Sequence, residues 1–423
     1  MQSRLWRSMR RILVVSHVLP FPGSAGQRQR VGLTLQALRR DFHVTFATTV
    51  PALDVEDTRA ALAEWCDEAI VAPYRRAAHR LSNLRRQLSA AAYCAWTGLR
   101  ASNYFLAKVE FTAERLSELV GDREFDCVLL EYWHASASME YFRARGIPVV
   151  LDTHNILWQA YRADVDRKKW IPEWWKRRVV ALYRSAEEEA WRQFDGLIAI
   201  NREEHHYMQM VAPHVRHFYA PMGVDVVSRW RYRWRPEGVR LCCYGGFGSS
   251  HNAASALQCA QKIMPLVWAY FPSAELWIVG SNPPPQLQAL QSDRRIRVTG
   301  FVDEVQPVLG SMRLMLCPWK GTYGFRSRLV EVMAIGVPVV ANPDAIDGMD
   351  MNHEQGVLLA SDDTGLAEHA VRLLSDEKFA AEQSLRARAV VAEQYGFDST
   401  YGALSRDLRE WAQAGMSRVC NFS

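Results

Sequence analysis

The stretch from Leu314 to Asn342 constrains this chain more than any other. Leu314-Met315-Leu316-Cys317-Pro318-Trp319 is a short apolar run of the kind a buried strand takes. Lys320-Gly321-Thr322-Tyr323-Gly324-Phe325 carries two glycines where a strand must hand over to a helix. Helical spacing of Leu329, Val330, Met333 and Ala334 follows, and Gly336 stands where a helix C-terminus takes a left-handed residue. Val337 to Asn342 reads as a second buried strand. The unit is βαβ, and its glycine-rich entry aims backbone N–H groups and the positive end of a helix at one spot, which suits a phosphate.

Two charges sharpen this. Arg326 and Arg328 fall in the first helical turn, where the macrodipole disfavours cations unless an anion lies close. Glu331 follows one turn on, inside an otherwise apolar segment, where a carboxylate can accept two hydrogen bonds from a vicinal diol such as a ribose. An amphipathic crossover helix with a solvated charged end has the same spacing, and spacing alone leaves both readings open.

With these residues in view, the run Gly321 to Ala341 resembles the nucleotide-sugar site of the retaining GT-B glycosyltransferases of family four (glycosyl transferases group 1). The family's pattern is two glutamates eight positions apart. Glu331 matches the second, Tyr323 stands at the first, and Arg326-Ser327-Arg328-Leu329-Val330-Glu331 resembles the branch with a glycine-rich loop followed by basic residues. The resemblance implies donor contacts from Gly321, Tyr323, Gly324, Phe325, Arg326, Arg328, Leu329 and Glu331. Arg328 and Glu331 are then expected to take part in catalysis.

Upstream, Leu241 to Asn252 reads as strand, glycine loop (Gly245-Gly246-Phe247-Gly248) and helix, the first βα turn of a Rossmann-like half. It lacks the full dinucleotide fingerprint, and the next strand, Glu275 to Gly280, ends in glycine rather than in an acidic ribose partner, which argues against NAD. Many enzymes of the family place Arg and Lys in this loop, where Ser250, His251 and Asn252 stand here. The diphosphate charge is therefore expected to fall on Arg326 and Arg328, with Gly246, Phe247 and Gly248 as backbone contacts. The resemblance puts the nucleobase against Phe301 and Val302.

In the N-terminal half, Arg11 to Ser16 and His43 to Thr48 read as parallel strands. Between them, the loop Gly23 to Gly26 is either a plain turn or, by the resemblance, the segment that closes over the donor, with Gly26 as its contact. Residues 54 to 120 are mostly helix-compatible, with Arg75, Arg76, Arg80, Arg85 and Arg86 followed by Tyr93, Trp96, Tyr104 and Phe105. Such a segment is either a solvated helix or one that rests on an anionic membrane. Strands Phe125 to His134 and Gly146 to Asn155 end in histidines, and open α/β sheets bind ligands beyond such ends. His154 matches the family's histidine beside the donor sugar and is expected to be catalytic. His134 is an acceptor-side candidate with an equally good structural reading. Trp158 to Trp191 reads as a solvated helical hairpin, with acceptor contact at Trp158 as the alternative. Phe194 to Asn201 reads as a further strand, with Asn201 a helix N-cap.

A chain of 423 residues, 49% hydrophobic and 23% charged, can bury more than one core. A net charge of +5 is too small to imply nucleic acid but suits an anionic donor or a membrane surface. Eight cysteines without a C-x-x-C pair suggest neither zinc nor a disulfide framework, so no metal is expected and a reduced, cytoplasmic setting fits. The apolar run Ile12 to Val18 is too short for a signal sequence or a span.

The expected fold class is α/β, GT-B: two Rossmann-like doubly wound domains facing an interdomain cleft. The expected division is 1–225 (acceptor side), a linker at 226–238, 239–395 (donor side), and a helix from 396–423 crossing back to the first domain. Pro221-Met222-Gly223-Val224-Asp225 resembles the family's interdomain segment. The diphosphate is expected at the helix start of Arg326 and Arg328, facing His154 across the gap. The implied activity is transfer of a sugar from a nucleoside-diphosphate sugar, needing no cofactor, to a saccharide or glycolipid acceptor in envelope or exopolysaccharide assembly. Peripheral contact with the inner membrane face belongs to this expectation. The alternatives are a non-catalytic nucleotide-sugar-binding subunit, motivated by Tyr323, and a nicotinamide oxidoreductase or nucleotide-sugar epimerase on the same scaffold.

Overall fold

The computed structural model describes residues 9–22, 26–75, 80–225, 232–321 and 325–419. Gly23 to Ala25, residues 226–231 of the expected linker, and Thr322 to Gly324 with the site candidates Tyr323 and Gly324 lie outside them. The chain divides into two compact units, Met1–Pro221 with Tyr401–Ser423, and Met222–Thr400.

The N-terminal unit holds a seven-stranded parallel sheet of order β3-β2-β1-β4-β5-β6-β7. Its strands are β1 (Arg10–Val15), β2 (Phe42–Val50), β3 (Glu68–Pro73), β4 (Cys127–Glu131), β5 (Val149–Asp152), β6 (Gly196–Ala199) and β7 (Arg216–Tyr219). Alternation assigns the two faces. Ile12, Val14, Leu129 and Val150 enter one core with Val31, Leu35 and Leu38 of α1 (Gly26–Asp41). Leu13, Val15, Leu130 and Leu151 enter the other. That second face is covered by α2 (Arg80–Thr97), α3 (Leu157–Asp166) and α4 (Glu173–Trp191), among others. α3 and α4 form the expected hairpin, locked where Glu187 accepts the Leu157 and Trp158 amides at 2.9 and 2.7 Å.

Asn201 caps α5 (Arg202–Val211) by accepting Glu204 N at 2.8 Å, as its position predicts. Strands β3 and β7 are additions to the sequence reading. β3 is a short run ending in Pro73 at the sheet edge, and β7 buries only Phe218 among four residues, so neither shows a strong period.

The C-terminal unit is a six-stranded parallel sheet of order β10-β9-β8-β11-β12-β13. It comprises β8 (Arg240–Tyr244), β9 (Glu275–Val279), β10 (Ile296–Gly300), β11 (Leu314–Cys317), β12 (Val339–Ala341) and β13 (Val357–Leu359). Alternation again divides Leu241, Cys243, Leu314 and Leu316 from Cys242, Met315 and Cys317. α6 (Ser250–Gln258) follows β8, and α7 (Ser327–Ile335) joins β11 to β12. α7 ends at Gly336 in the left-handed region, φ +96, as its sequence position requires. α8 (Asp363–Ser375) and α9 (Glu377–Gln394) complete the unit, and Val224 N donates to Tyr395 O at 2.8 Å. The last helix, α10 (Ala403–Val419), buries Leu404, Leu408 and Ala412 in the N-terminal unit's core. Each fully buried leucine stabilises by about 1.5–3 kcal/mol.

Candidate active site

In the C-terminal sheet the strand order reverses between β8 and β11, the place where an open α/β sheet leaves a crevice beyond its carboxyl ends. β8 ends at Tyr244 and passes into the glycine loop Gly245 to Gly248. Gly245 N donates to Val279 O at 3.1 Å, Phe247 N to Ser281 O at 2.8 Å, and Asn252 Nδ2 to Gly246 O at 2.8 Å. Gly280, at φ +143, lets the end of β9 lie against this loop: a Cβ there would sit 1.8 Å from Gly245 O.

From β11 the chain turns at Gly321, φ +89, toward α7. Gly321 N donates to Asp344 Oδ2 at 2.8 Å, and Gly321 O accepts from Arg326 Nη2 at 2.5 Å. α7 begins with no side-chain cap from Arg326 and no acidic residue in its first turn, an N-terminus whose dipole suits an anion. Arg328 reaches across to β8. Its Nη1 and Nη2 lie 3.3 and 3.4 Å from where Cβ atoms on Gly245 and Gly246 would stand, so both glycines make room for the guanidinium. Its Cζ is 5.9 Å from the Tyr244 ring centroid, and the Tyr244 hydroxyl donates to Glu331 Oε2 at 3.5 Å. Glu331 is buried, unusual for a carboxylate.

The fold thus brings Arg328, Glu331 and Gly246 together, with Gly321 and Arg326 beside them. Arg326 is half-buried, 5.7 Å from the Trp319 ring, and burial lowers its pKa. Phe247 is buried, and Gly248 is exposed. Leu329 packs in the core, its amide donating to Arg326 O at 3.0 Å. Phe325 is half-buried against Tyr395, ring centroids 5.6 Å apart. Phe301 is exposed and Val302 half-buried just past the edge strand β10. Gly26 is the first residue of α1.

In the N-terminal unit the adjacent strands β4 and β5 end in register at Glu131 and Asp152. Both side chains are fully buried. Arg30 of α1 binds Asp152 through two bonds of 2.8 and 3.0 Å and donates to Ala220 O at 2.9 Å. Burial opposes the Arg30 charge, but the Asp152 carboxylate outweighs it and raises the guanidinium's pKa. Burial likewise works against the Asp152 charge, and Arg30 overcomes it, lowering that pKa. Burial raises the Glu131 pKa and outweighs the opposing effect of the His154 ring that it meets.

His154, at φ +56 and buried, pairs through Nε2 with Glu131 Oε2, donates its backbone N–H to Asp152 Oδ1 at 3.3 Å, and stacks on Tyr132 at 4.4 Å. Tyr132 is also left-handed, φ +71. Two adjacent non-glycine residues of the cluster thus hold an uncommon backbone, a mark of functional sites. Donor atoms of Glu131, Asp152 and His154 lie within 4.8 Å of one another. Arg30 occupies both Asp152 oxygens and brings a positive charge alongside, so the cluster is better suited to an ion-pair network than to a cation.

The acceptor-side candidates are both buried here. His134 Nε2 meets the Tyr183 hydroxyl at 3.3 Å, and Trp158 lies 6.2 Å from the Tyr207 ring. Burial pushes the His134 imidazole down to about 3, with His17 adding to it. An unfolded histidine protonates near pH 6.5, so this group's stability is fully present above that value and is lost as pH falls toward its folded pKa, by about 1.4 kcal/mol per unit. His134→Asn is expected to flatten the acid side of the melting-temperature profile between about pH 6.5 and 4. A profile identical to the parent's would remove His134 from the account.

Sequence reasoning did not single out Arg30, Glu131, Asp152 or Tyr244. The available signal was Arg30 on the apolar stripe of α1, where a lone cation needs a buried partner.

Residues 238–376 match the family described as "Glycosyl transferases group 1", which covers most of the C-terminal unit but not half of the chain. Over 133 residues the chain is 31% identical to the N-acetyl-alpha-D-glucosaminyl L-malate synthase of Bacillus anthracis, a match spanning 29% of this chain and 34% of that protein. Among solved structures it is similar to sucrose-phosphate synthase from Thermosynechococcus elongatus, with a TM-score of 0.65 at 15% identity over 96% of this chain and 100% of that one. It is similar also to Anabaena HepE in complex with UDP and glucose, with a TM-score of 0.59 at 13% identity over 94% and 99%. At such identities the likeness establishes the fold, which is GT-B with two parallel Rossmann-like sheets of seven and six strands.

Proposed function

We propose, from the premise that the fold is GT-B and that the C-terminal unit is of the glycosyl transferases group 1 family, that this protein is a retaining glycosyltransferase. It moves a sugar from a nucleoside-diphosphate sugar to an acceptor hydroxyl, with no metal needed. The observation that carries this reading is Arg328 lying on the Gly245-Gly246 backbone at the N-terminus of α7, with Glu331 buried one turn further on.

In this reading the diphosphate rests on the glycine loop and the α7 terminus, and Arg328 neutralises its oxygens. Glu331 accepts hydrogen bonds from a diol of the donor. As the bond between the anomeric carbon and the diphosphate breaks, negative charge grows on the leaving oxygen, and preorganised N–H groups and the guanidinium stabilise it. The acceptor hydroxyl attacks from the same face, its proton passing to the departing diphosphate, so no protein nucleophile is required. His154 is the catalytic candidate of the N-terminal unit. Glu131 holds its ring and the Asp152 carboxylate its backbone. The acceptor is a lipid-linked or envelope saccharide, a reading supported by the arginine- and tryptophan-rich N-terminal half.

A thermal-shift screen against UDP-, GDP-, ADP- and dTDP-sugars tests the donor. UDP comes first, because the similar HepE is described with UDP and glucose. A ligand at 100 times its Kd is expected to stabilise by about 2.7 kcal/mol. No shift with any of them, together with no donor hydrolysis, would sink the proposal. A shift without hydrolysis or transfer would favour a binding subunit instead.

A further inference from the structure

We infer that the surface formed by α2, the α3–α4 turn and the first turn of α4 docks on an anionic lipid bilayer. The inference rests on the lipid-linked acceptor proposed above, and names the surface that would meet it. Five of the eleven exposed large apolar side chains among the described residues fall here: Leu84, Leu88, Trp96, Trp170 and Trp174. Trp170 is 81% exposed. On α2, Leu84, Leu88, Ala91 and Ala95 follow a spacing of four, three and four, one exposed stripe along the helix.

That stripe runs into a groove of about 660 Å³ lined by Ala91, Cys94, Ala95, Leu99, Tyr161 and Lys168, which brings the end of α3 to the same side. The Arg178 guanidinium lies 5.0 Å from the Trp96 ring, and this joins the start of α4 to the end of α2. The apolar residues therefore form one surface.

The segments of chain that form it carry a one-sided charge. Between Glu68 and Glu110 the chain has seven basic residues and no acidic one. From Arg162 to Arg178 it has seven basic residues and three acidic ones. The combined excess is more than twice the +5 of the whole chain, so the rest of the molecule is net acidic. The three carboxylates are already paired: Asp164 with Arg100 and Arg167, Asp166 with Arg162, and Glu173 with Lys176. Nucleic acid would answer the charge but leave the leucines and Trp170 without a role. An anionic headgroup layer over acyl chains answers both, since indole rings sit at the interface and the cations meet phosphate. Among the described residues no helix is long and apolar enough to cross a membrane, so the contact is with the surface.

The test uses the full chain in co-sedimentation with vesicles of phosphatidylcholine alone and of phosphatidylcholine with phosphatidylglycerol. Binding is expected on the anionic vesicles only, weakened by added salt. The variant Trp96→Ala/Trp170→Ala/Trp174→Ala is expected to bind them about tenfold more weakly, with its thermal shift by UDP unchanged. Equal binding to both vesicles, anionic binding undiminished in the variant, or a parent dimer that the variant dissolves would each overturn the inference. Vesicle binding that persists while no nucleotide sugar turns over supports the docking surface and counts against the transferase reading.

Discussion

Arg328→Ala is expected to lower kcat/KM for the donor by about 10²–10³, the cost of removing one group aimed at transition-state charge. The expectation singles out Arg328 because the two arginines at the α7 start are differently engaged. Arg326 donates to Gly321 O and is half-buried, so part of its bonding capacity holds the loop. Arg328 rests on glycine backbone and beside the Tyr244 ring, and among the described residues no carboxylate pairs with it. Its charge is thus available to an anion.

Arg328→Lys keeps the charge but loses the planar fork, and a loss of about tenfold is expected, intermediate between parent and alanine. Both variants should melt close to the parent, because Arg328 is only half-buried and closes no ion pair among the described residues. Steady-state kinetics with the donor found by thermal shift provide the measurement. Unchanged donor turnover in Arg328→Ala would remove the proposed diphosphate site.

The βαβ unit of the proposed donor side was legible because local rules and tertiary structure largely agree there. Gly321 takes a positive φ, Gly336 closes the helix and Arg328 falls in its first turn, whereas Arg326, expected there too, stands one residue earlier as the N-cap with non-helical backbone. The N-terminal cluster was legible only in part. His154 stood out at a strand end, but Glu131, which meets its ring, is 23 residues away on β4, and Arg30 and Asp152, which pair beside it, are 122 residues apart. Sheet order brings β4 beside β5 and lays α1 against them, and no periodicity along the chain encodes that pairing. Strand β7 was missed for a simpler reason: with only Phe218 buried, its alternation is too short to read.

The second large effect concerns stability. Arg30→Met is expected to destabilise the protein by about 3–5 kcal/mol, because it removes the cation facing two buried carboxylates. Asp152 would lose both guanidinium bonds while remaining fully buried, and Ala220 O would lose its donor. For a unit of this size the melting temperature should fall on the order of 10 °C.

The double variant Arg30→Met/Asp152→Leu should recover most of that loss, since well-packed apolar replacements of a buried pair are often close to neutral. The pH response separates a charge effect from lost packing. In the parent, Arg30 keeps the Asp152 pKa below its unfolded value, so the stability it contributes is present above the unfolded pKa and is lost as pH falls through the folded one. In Arg30→Met, burial, the largest influence on Asp152, is opposed by His154 alone and is expected to raise that pKa, which reverses the sign: the variant's deficit should shrink as the solution is acidified toward the unfolded carboxylate range. A deficit that does not change with pH would point to packing and not to charge. Because Asp152 Oδ1 also receives the His154 backbone N–H, Arg30→Met should cost activity even where the chain stays folded, and Arg30→Lys, with its point charge, should restore stability more fully than turnover.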